Sequence, residues 1–458
     1  MTPPSTPGTH ISTGHACTAS AANEAGGQGN RRRHRTLRRT VVAIAGVAVL
    51  TGIVIAGGLL REPATTDSNG PSTPNSQSAK AAPNTIEGMT SYLSAVPGDW
   101  VSWSALGQLQ LEHGRATADP AFYARADASF SRSLQIHADE NYPAVAGRAA
   151  LAAARHDFYA ADQLARAALA VNPLDPGALG TLTDALTELG RYPEALRAAH
   201  RLDDTHPGVS SFTRLAYQAE LRGDISRALS LLRRAAEAAA TPAQVAFARY
   251  QEGILALSEG RPAEAARAYR SGIASAPGDT TLLHLQARLA RERSGKTAQT
   301  GDAPRTGNAP KTGSAPQPGD DAAVNLYRDL VARRPAAAYA VEFADLLSQL
   351  GRTREASDMI TLAKAQVQVA RANGIAADPG EVLIEAKYGD PAQAVALGRE
   401  LWTRQQGVYA AEALAMALHA AGANQEALQY ADKSVALGTR TQSLLETRKA
   451  IRASISGR

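Results

Sequence analysis

Six times along this chain of 458 residues a Gly is followed five residues later by an Ala: Gly190 to Ala195, Gly223 to Ala228, Gly260 to Ala265, Gly351 to Ala356, Gly389 to Ala394 and Gly422 to Ala427. Self-similarity of this kind constrains the fold more than any composition does, because each copy is one small unit that buries its apolar face only against the next. In the best-formed copy, Pro173 and Pro207 lie 34 residues apart. Between Pro173 and Gly190, Leu179, Leu182, Ala185, Leu186 and Leu189 recur at three- and four-residue steps, the stripe of an amphipathic helix. Gly190 is expected to end that helix in a left-handed conformation.

A second helix runs through Ala195, Leu196, Ala199 and Leu202. Ala195 is expected at the crossing with its partner, where a larger side chain overpacks by roughly 1–3 kcal/mol. Pro207 is expected in the first turn of the following helix, where its missing N–H has no intrahelical partner.

The ordered small and large positions resemble the tetratricopeptide repeat family. In the unit from about Ala246 to Asp279, Gly253, Gly260, Ala265, Tyr269, Gly272 and Pro277 stand at that family's small, turn, small, aromatic, small and Pro positions. Near the start, Trp103, Leu106 and Gly107 look like its Trp-x-x-Leu-Gly signature. The resemblance covers roughly residues 95–455. It implies an all-α, right-handed α-solenoid of antiparallel helix pairs, a superhelix that binds a protein or peptide partner.

Upstream, Arg31, Arg32, Arg33, Arg35, Arg38 and Arg39 precede an uncharged run from Val41 to Leu60. At about 1.5 Å per residue such a run spans a hydrocarbon core of about 30 Å. The expectation is one N-terminal transmembrane helix with the basic tail cytoplasmic and the repeats extracytoplasmic. A cleaved signal peptide, with Val54 and Ala56 before the cut, is the alternative. Ala48, Gly52 and Ala56 form a small-residue stripe that would allow self-association.

The net charge of +5 belongs to the tail, whose six Arg and one Glu leave 42 basic and 42 acidic residues in the remainder. A neutral remainder gives no reason to expect a nucleic-acid partner. Cys17 is the single cysteine, so no disulfide is expected within the array. The expected organisation is a disordered tail (1–40), the membrane helix (41–60), a flexible linker (61–94), helical repeats (95–294), a low-complexity insert (295–320) and further repeats with a terminal capping helix (321–458). Within the insert, Thr300-Gly-Asp-Ala-Pro304, Thr306-Gly-Asn-Ala-Pro310 and Thr312-Gly-Ser-Ala-Pro316 are copies of one motif. It lies either between the two helices of one unit or between two arrays.

No catalytic constellation emerges. His10, His15 and Cys17 fit no zinc spacing, and there is no His-Glu-x-x-His, phosphate loop or nucleophile elbow. No catalytic residue, metal or cofactor is expected. Counting along first helices puts Tyr217, Phe247, Tyr250, Ile254 and Leu257 on a concave, partner-binding face, with packing against neighbouring helices as the plainer alternative. The places that clamp a terminal carboxylate in some family members hold Asp184, Tyr217, Ile254 and Asp345, so that mode is not expected. Two functions follow: an anchored extracytoplasmic interaction scaffold without catalysis, or an accessory sensor or carrier for an exported peptide or small ligand.

Overall fold

The computed structural model describes residues 84–300 and 318–456, and every regular element among them is an α-helix. In chain order these are α1 (Ile86–Ala95), α2 (Trp100–Thr117), α3 (Ala121–Ile136), α4 (Tyr142–Ala154), α5 (Phe158–Val171), α6 (Pro176–Glu188), α7 (Tyr192–Thr205), α8 (Val209–Leu221), α9 (Ile225–Glu237) and α10 (Pro242–Ser258). There follow α11 (Pro262–Ser275), α12 (Thr280–Thr300), α13 (Pro318–Arg333), α14 (Ala337–Gln349), α15 (Thr353–Ala372), α16 (Pro379–Tyr388), α17 (Pro391–Arg404), α18 (Val408–Ala420), α19 (Asn424–Ser434) and α20 (Gln442–Ser456).

From α2 to α19 each even-numbered helix packs on the odd-numbered one after it, and first helices of successive pairs also touch, as α4 does α6 and α10 does α12. The starts are set by Asp99, Asp157, Asp175 and Asp224, each accepting the amide three residues on, which satisfies a donor that has no intrahelical partner. First-turn prolines also mark starts, at Pro176, Pro242 and Pro379. Pro207 is not among them. It precedes Gly208, the N-cap of α8.

Five of the six repeat glycines end their first helices with positive φ, from +68° at Gly260 to +81° at Gly422. Gly389 departs, at φ −126°, because Asp390 N-caps α17 immediately and leaves no room for a longer turn. Ala195 is fully buried, as are Ala228, Ala265, Ala394 and Ala427. The Phe130 ring packs between two backbones: a Cβ at Gly107 or Gly147 would lie 2.6 or 2.2 Å from it.

Burial differs sharply between the two helices of a pair. Eleven of the 13 residues of α6 and 12 of the 13 of α8 are buried, against 4 of 14 in α7 and 3 of 14 in α11. The first helices α6 and α8 are thus enclosed on nearly all sides. Second helices cover them with one apolar stripe and show the other face to solvent.

Several sequence expectations need correction. The linker expected over 61–94 contains most of α1, whose Met89 and Leu93 are buried against Leu106. The insert expected over 295–320 is entered by α12, which runs to Thr300, and by α13, which starts at Pro318. These two helices pack on each other across it. The single-pass topology with extracytoplasmic repeats is withdrawn, since no helix among the described residues is long and apolar enough to cross a membrane. Residues 41–60, including Ala48, Gly52 and Ala56, lie outside the described residues.

Candidate partner-binding surface

Of the five residues expected on an open concave face, Tyr217, Tyr250 and Ile254 are buried, while Phe247 and Leu257 are partly exposed. Tyr250 and Ile254 are 0% and 1% exposed, and with Phe247 and Leu257 at its edge they belong to the largest apolar cluster. Tyr217, also buried, packs with Leu221, Val408, Tyr409 and Leu444. Tyr217, Tyr250 and Ile254 are not exposed as expected, because other parts of the same chain cover them. Asp184 and Asp345, two of the clamp positions, are likewise committed: Asp184 to Arg214 and Asp345 to Lys387 and Tyr388.

One set of side chains was not anticipated. The Tyr250 hydroxyl and His284 Nδ1 are 2.8 Å apart, His284 Nε2 lies 2.9 Å from Glu342 Oε2, and the Tyr327 hydroxyl donates to the same oxygen at 2.9 Å. With Nε2–H donating to the carboxylate, Nδ1 faces the Tyr250 hydroxyl on the other side of the ring. Burial would raise the Glu342 carboxyl, but His284, Arg288 and Arg291 outweigh it and hold it at about 2. The four side chains are all 2% exposed or less. The group resembles an acid–base relay in composition, yet no substrate reaches it. Its place explains it: α10, α12, α13 and α14 each supply one member, so it ties together the helices on both sides of residues 301–317.

The cover over the first helices comes from a regular long-range contact. Arg334 Nη2 donates to Arg115 O across a separation of 219 residues, His156 Nδ1 approaches Ala376 O across 220, and Val408 N donates to the Tyr192 hydroxyl across 216. A nearly constant offset is the signature of a superhelix whose successive turns touch. Further main-chain bonds join Ala376 N to Arg155 O and both Gln406 N and Gly407 N to Glu188 O, each at 3.0 Å. The rungs of this seam are the ends of first helices on one side and inter-helix loops on the other. At two rungs the repeat glycine itself is the contact: a Cβ at Gly190 would stand 2.7 Å from Gln406 O, and one at Gly223 2.4 Å from Gly438 O.

Three carboxyls lie buried along the seam. Burial pushes Glu188 and Glu412 up to about 8 and Glu220 up to about 7, with Asp184 adding to the first and Glu259 to the last. All three act on Tyr409, whose hydroxyl burial and these neighbours push far up. Among the described residues none of the three forms an ion pair.

Beside the rung made by Arg155, His156 and Ala376, a cleft of about 370 Å³ remains. Arg148, Arg155, Tyr159 and Leu164 line it from one turn, Gly374 and Arg404 from the next. Arg155 is held by Asp127 at 3.0 Å, Arg404 by Glu400 at 3.1 Å, and Tyr159 stands half exposed at the edge. Charged side chains, an aromatic ring and an apolar wall thus face one solvent-open concavity. Among the described residues no cluster of His, Cys, Asp and Glu is arranged to hold a metal.

No protein-family profile and no curated protein matches the chain. Solved structures with a similar arrangement include a chain of the APC/C hetero-tetramer Cut9-Hcn1, at 13% identity and TM-score 0.42, over 80% of this chain and 58% of that one. This chain therefore spans less than two thirds of that relative's length. Others are the human IFIT1 dimer with m7Gppp-AAAA, at 15% identity and TM-score 0.44, over 77% and 76%. A tetratricopeptide repeat protein from Parabacteroides merdae matches at 14% and 0.33, over 68% and 98%. Similarities this low carry no role across to this chain.

Proposed function

We propose that this helical array is an interaction scaffold that engages a protein or peptide partner and performs no chemistry of its own. The observation that carries the reading is the cleft between superhelical turns, where Arg148, Arg155, Tyr159 and Arg404 from two distant parts of the chain share one open concavity. A rigid stack offers such a surface at little ordering cost, because its side chains are already fixed by their neighbours. The enclosed Tyr250–His284–Glu342 relay supports the non-catalytic part, since reacting groups have to reach a substrate. A half-exposed Tyr beside Arg is the composition from which binding hot spots are drawn.

The test is a displayed peptide library selected on the full chain, with enriched peptides then measured against Tyr159→Ala and Arg155→Glu variants. Loss of binding by tenfold or more with unchanged helicity is the expected result. Selection of no peptide, or of peptides that bind both variants like the parent, would overturn the assignment to this cleft.

A further inference from the structure

The outward faces of three consecutive second helices carry basic side chains in register. Counted from each repeat glycine, the tenth residue is His200 in α7, Arg233 in α9 and Arg270 in α11. The seventh is Arg197 in α7 and Arg267 in α11, and the eleventh is Arg201 in α7 and Arg234 in α9. Places three and four residues apart are neighbours on a helix surface, so these side chains share one face, and all of them are exposed. Later second helices do not continue the row. The tenth place is Thr361 in α15, Asp432 in α19 and, in α17, Arg399, which Glu426 takes up at 3.0 Å.

Several exposed arginines elsewhere are held in the same way, Arg166 by Asp162 at 2.6 Å and Arg333 by Asp329 at 2.8 Å. On the basic face that compensation is missing. Among the described residues Arg197, Arg201, Arg267 and Arg270 form no ion pair, and Arg233 comes no nearer to a carboxylate than 3.8 Å, from Glu252. Arg201 gives Nη2 to Pro173 O, and Arg234 lies over the Phe212 ring at 4.1 Å; both contacts leave the charge uncancelled. Glu194 and Glu264, at the starts of α7 and α11, serve Arg191 and Arg261. The acids beside the row are Asp203, which accepts from Ser211, and Asp204 and Glu237, one turn beyond it. Six guanidiniums thus face three carboxylates, in a chain whose residues beyond the basic tail balance in charge.

We propose that this face of α7, α9 and α11 is a docking surface for an acidic peptide segment of a partner protein. Planar guanidiniums match carboxylates in pairs. The first helices of these pairs touch in succession, so their second helices follow about one helix diameter apart, roughly 10–12 Å. An extended chain rising about 3.3 Å per residue then meets a new rung every third or fourth residue, and Asp or Glu at that spacing pairs with each. Tyr269 and Ile273, half-buried beside Arg270, give the segment an apolar foothold at the last rung. A lipid surface fits less well: among the described residues no large, exposed apolar side chain lies on α7, α9 or α11 to enter below the headgroups. Nucleic acid also fits less well, because it is held by many phosphate contacts and the cationic excess here is small. Row and cleft share no residue, so this surface stands whether or not the cleft takes a partner.

Fluorescence anisotropy of the full chain with a labelled peptide of about 15 residues, bearing Glu at every third place among Ser and Gly, tests the proposal. Saturable binding is expected, weakened at least tenfold in the triple variant Arg197→Gln, Arg267→Gln, Arg270→Gln. A control triple, Arg132→Gln, Arg354→Gln, Lys449→Gln, removes the same charge from exposed places elsewhere and should bind like the parent. Tyr159→Ala, in the cleft, should also leave this binding unchanged, so the two surfaces fail separately. Absence of saturable binding, or equal weakening in both triples at unchanged helicity, would overturn the surface. Row-dependent binding of phosphatidylserine vesicles or of a single-stranded oligonucleotide in place of the peptide would overturn the acidic segment as its occupant.

Discussion

Gly190 and Gly223 each satisfy two demands that coincide at one atom. Both have φ of +74°, where a side chain costs on the order of 1–3 kcal/mol, and both lie against a carbonyl of the next superhelical turn. Gly260 has the same backbone sign, with nothing within 4 Å of a Cβ. Chemical denaturation of Gly190→Ala, Gly223→Ala and Gly260→Ala therefore separates the effects. The first two should lose clearly more stability than the third, and equal losses would mean that the seam contributes nothing there. Ala195, fully buried at its helix crossing, makes a second residue-scale prediction: Ala195→Leu should lower stability by roughly 1–3 kcal/mol, and a neutral result would mean that the crossing has space to spare. The spacing of Gly and Ala made these positions legible, because turn geometry and helix crossing are local demands. It could not reveal that the same glycines meet residues some two hundred positions away, since no local pattern records such a contact.

Among elements, the contrast between first and second helices organises the array. The helical stripe of α6 is plain in the sequence, but its remaining face carries Thr181, Thr183 and Thr187, which are buried as well. Helix α18 gave a better clue. It has no Lys or Arg and a single Glu among 13 residues, and 10 of them are buried; a helix apolar nearly all round belongs inside. The aromatic positions of α10 were misplaced for want of that argument. His284 and Glu342 escaped notice because 58 residues, including the Thr-Gly-Ala-Pro copies, separate them. Two element-scale predictions follow from buried charge. Removing Arg214 leaves Asp184 unpaired, so Arg214→Ala should cost about 3–5 kcal/mol in equilibrium unfolding, and a loss below 1 kcal/mol would mean that water replaces the guanidinium. For Glu342, the unfolded carboxyl takes its proton near pH 4.5 and the folded one near 2. Its stabilisation is present above pH 4.5 and is lost as pH falls toward 2. Acid unfolding should be less steep in Glu342→Gln, and an unchanged pH profile would contradict the assigned charge state.

At the scale of the whole molecule, a superhelix whose turns touch covers first helices such as α6 and α8, and its stability is linked to pH by the carboxyls sealed into the seam. Glu188, Glu220 and Glu412 ionise near pH 4.5 when unfolded, but keep their protons up to about 7 or 8 when folded. Between those values the folded chain binds more protons than the unfolded one, so their contribution to stability falls as pH rises from 4.5 to about 8. A Glu188→Gln, Glu412→Gln double variant should show a flatter decline in thermal midpoint over that range, whereas a slope equal to the parent's would remove these groups from the seam. Touching turns also explain why an array of helix pairs, read unit by unit, gave the architecture but not the burial of Tyr217 under Val408, Tyr409 and Leu444. The most direct measurement is residue-resolved hydrogen exchange of the loop amides of Ala376, Gln406, Gly407 and Val408, each of which bonds to a partner one turn away. Touching turns predict protection comparable to that of helix interiors. Exchange of these amides at the rate of free loops would contradict it and leave an open superhelix.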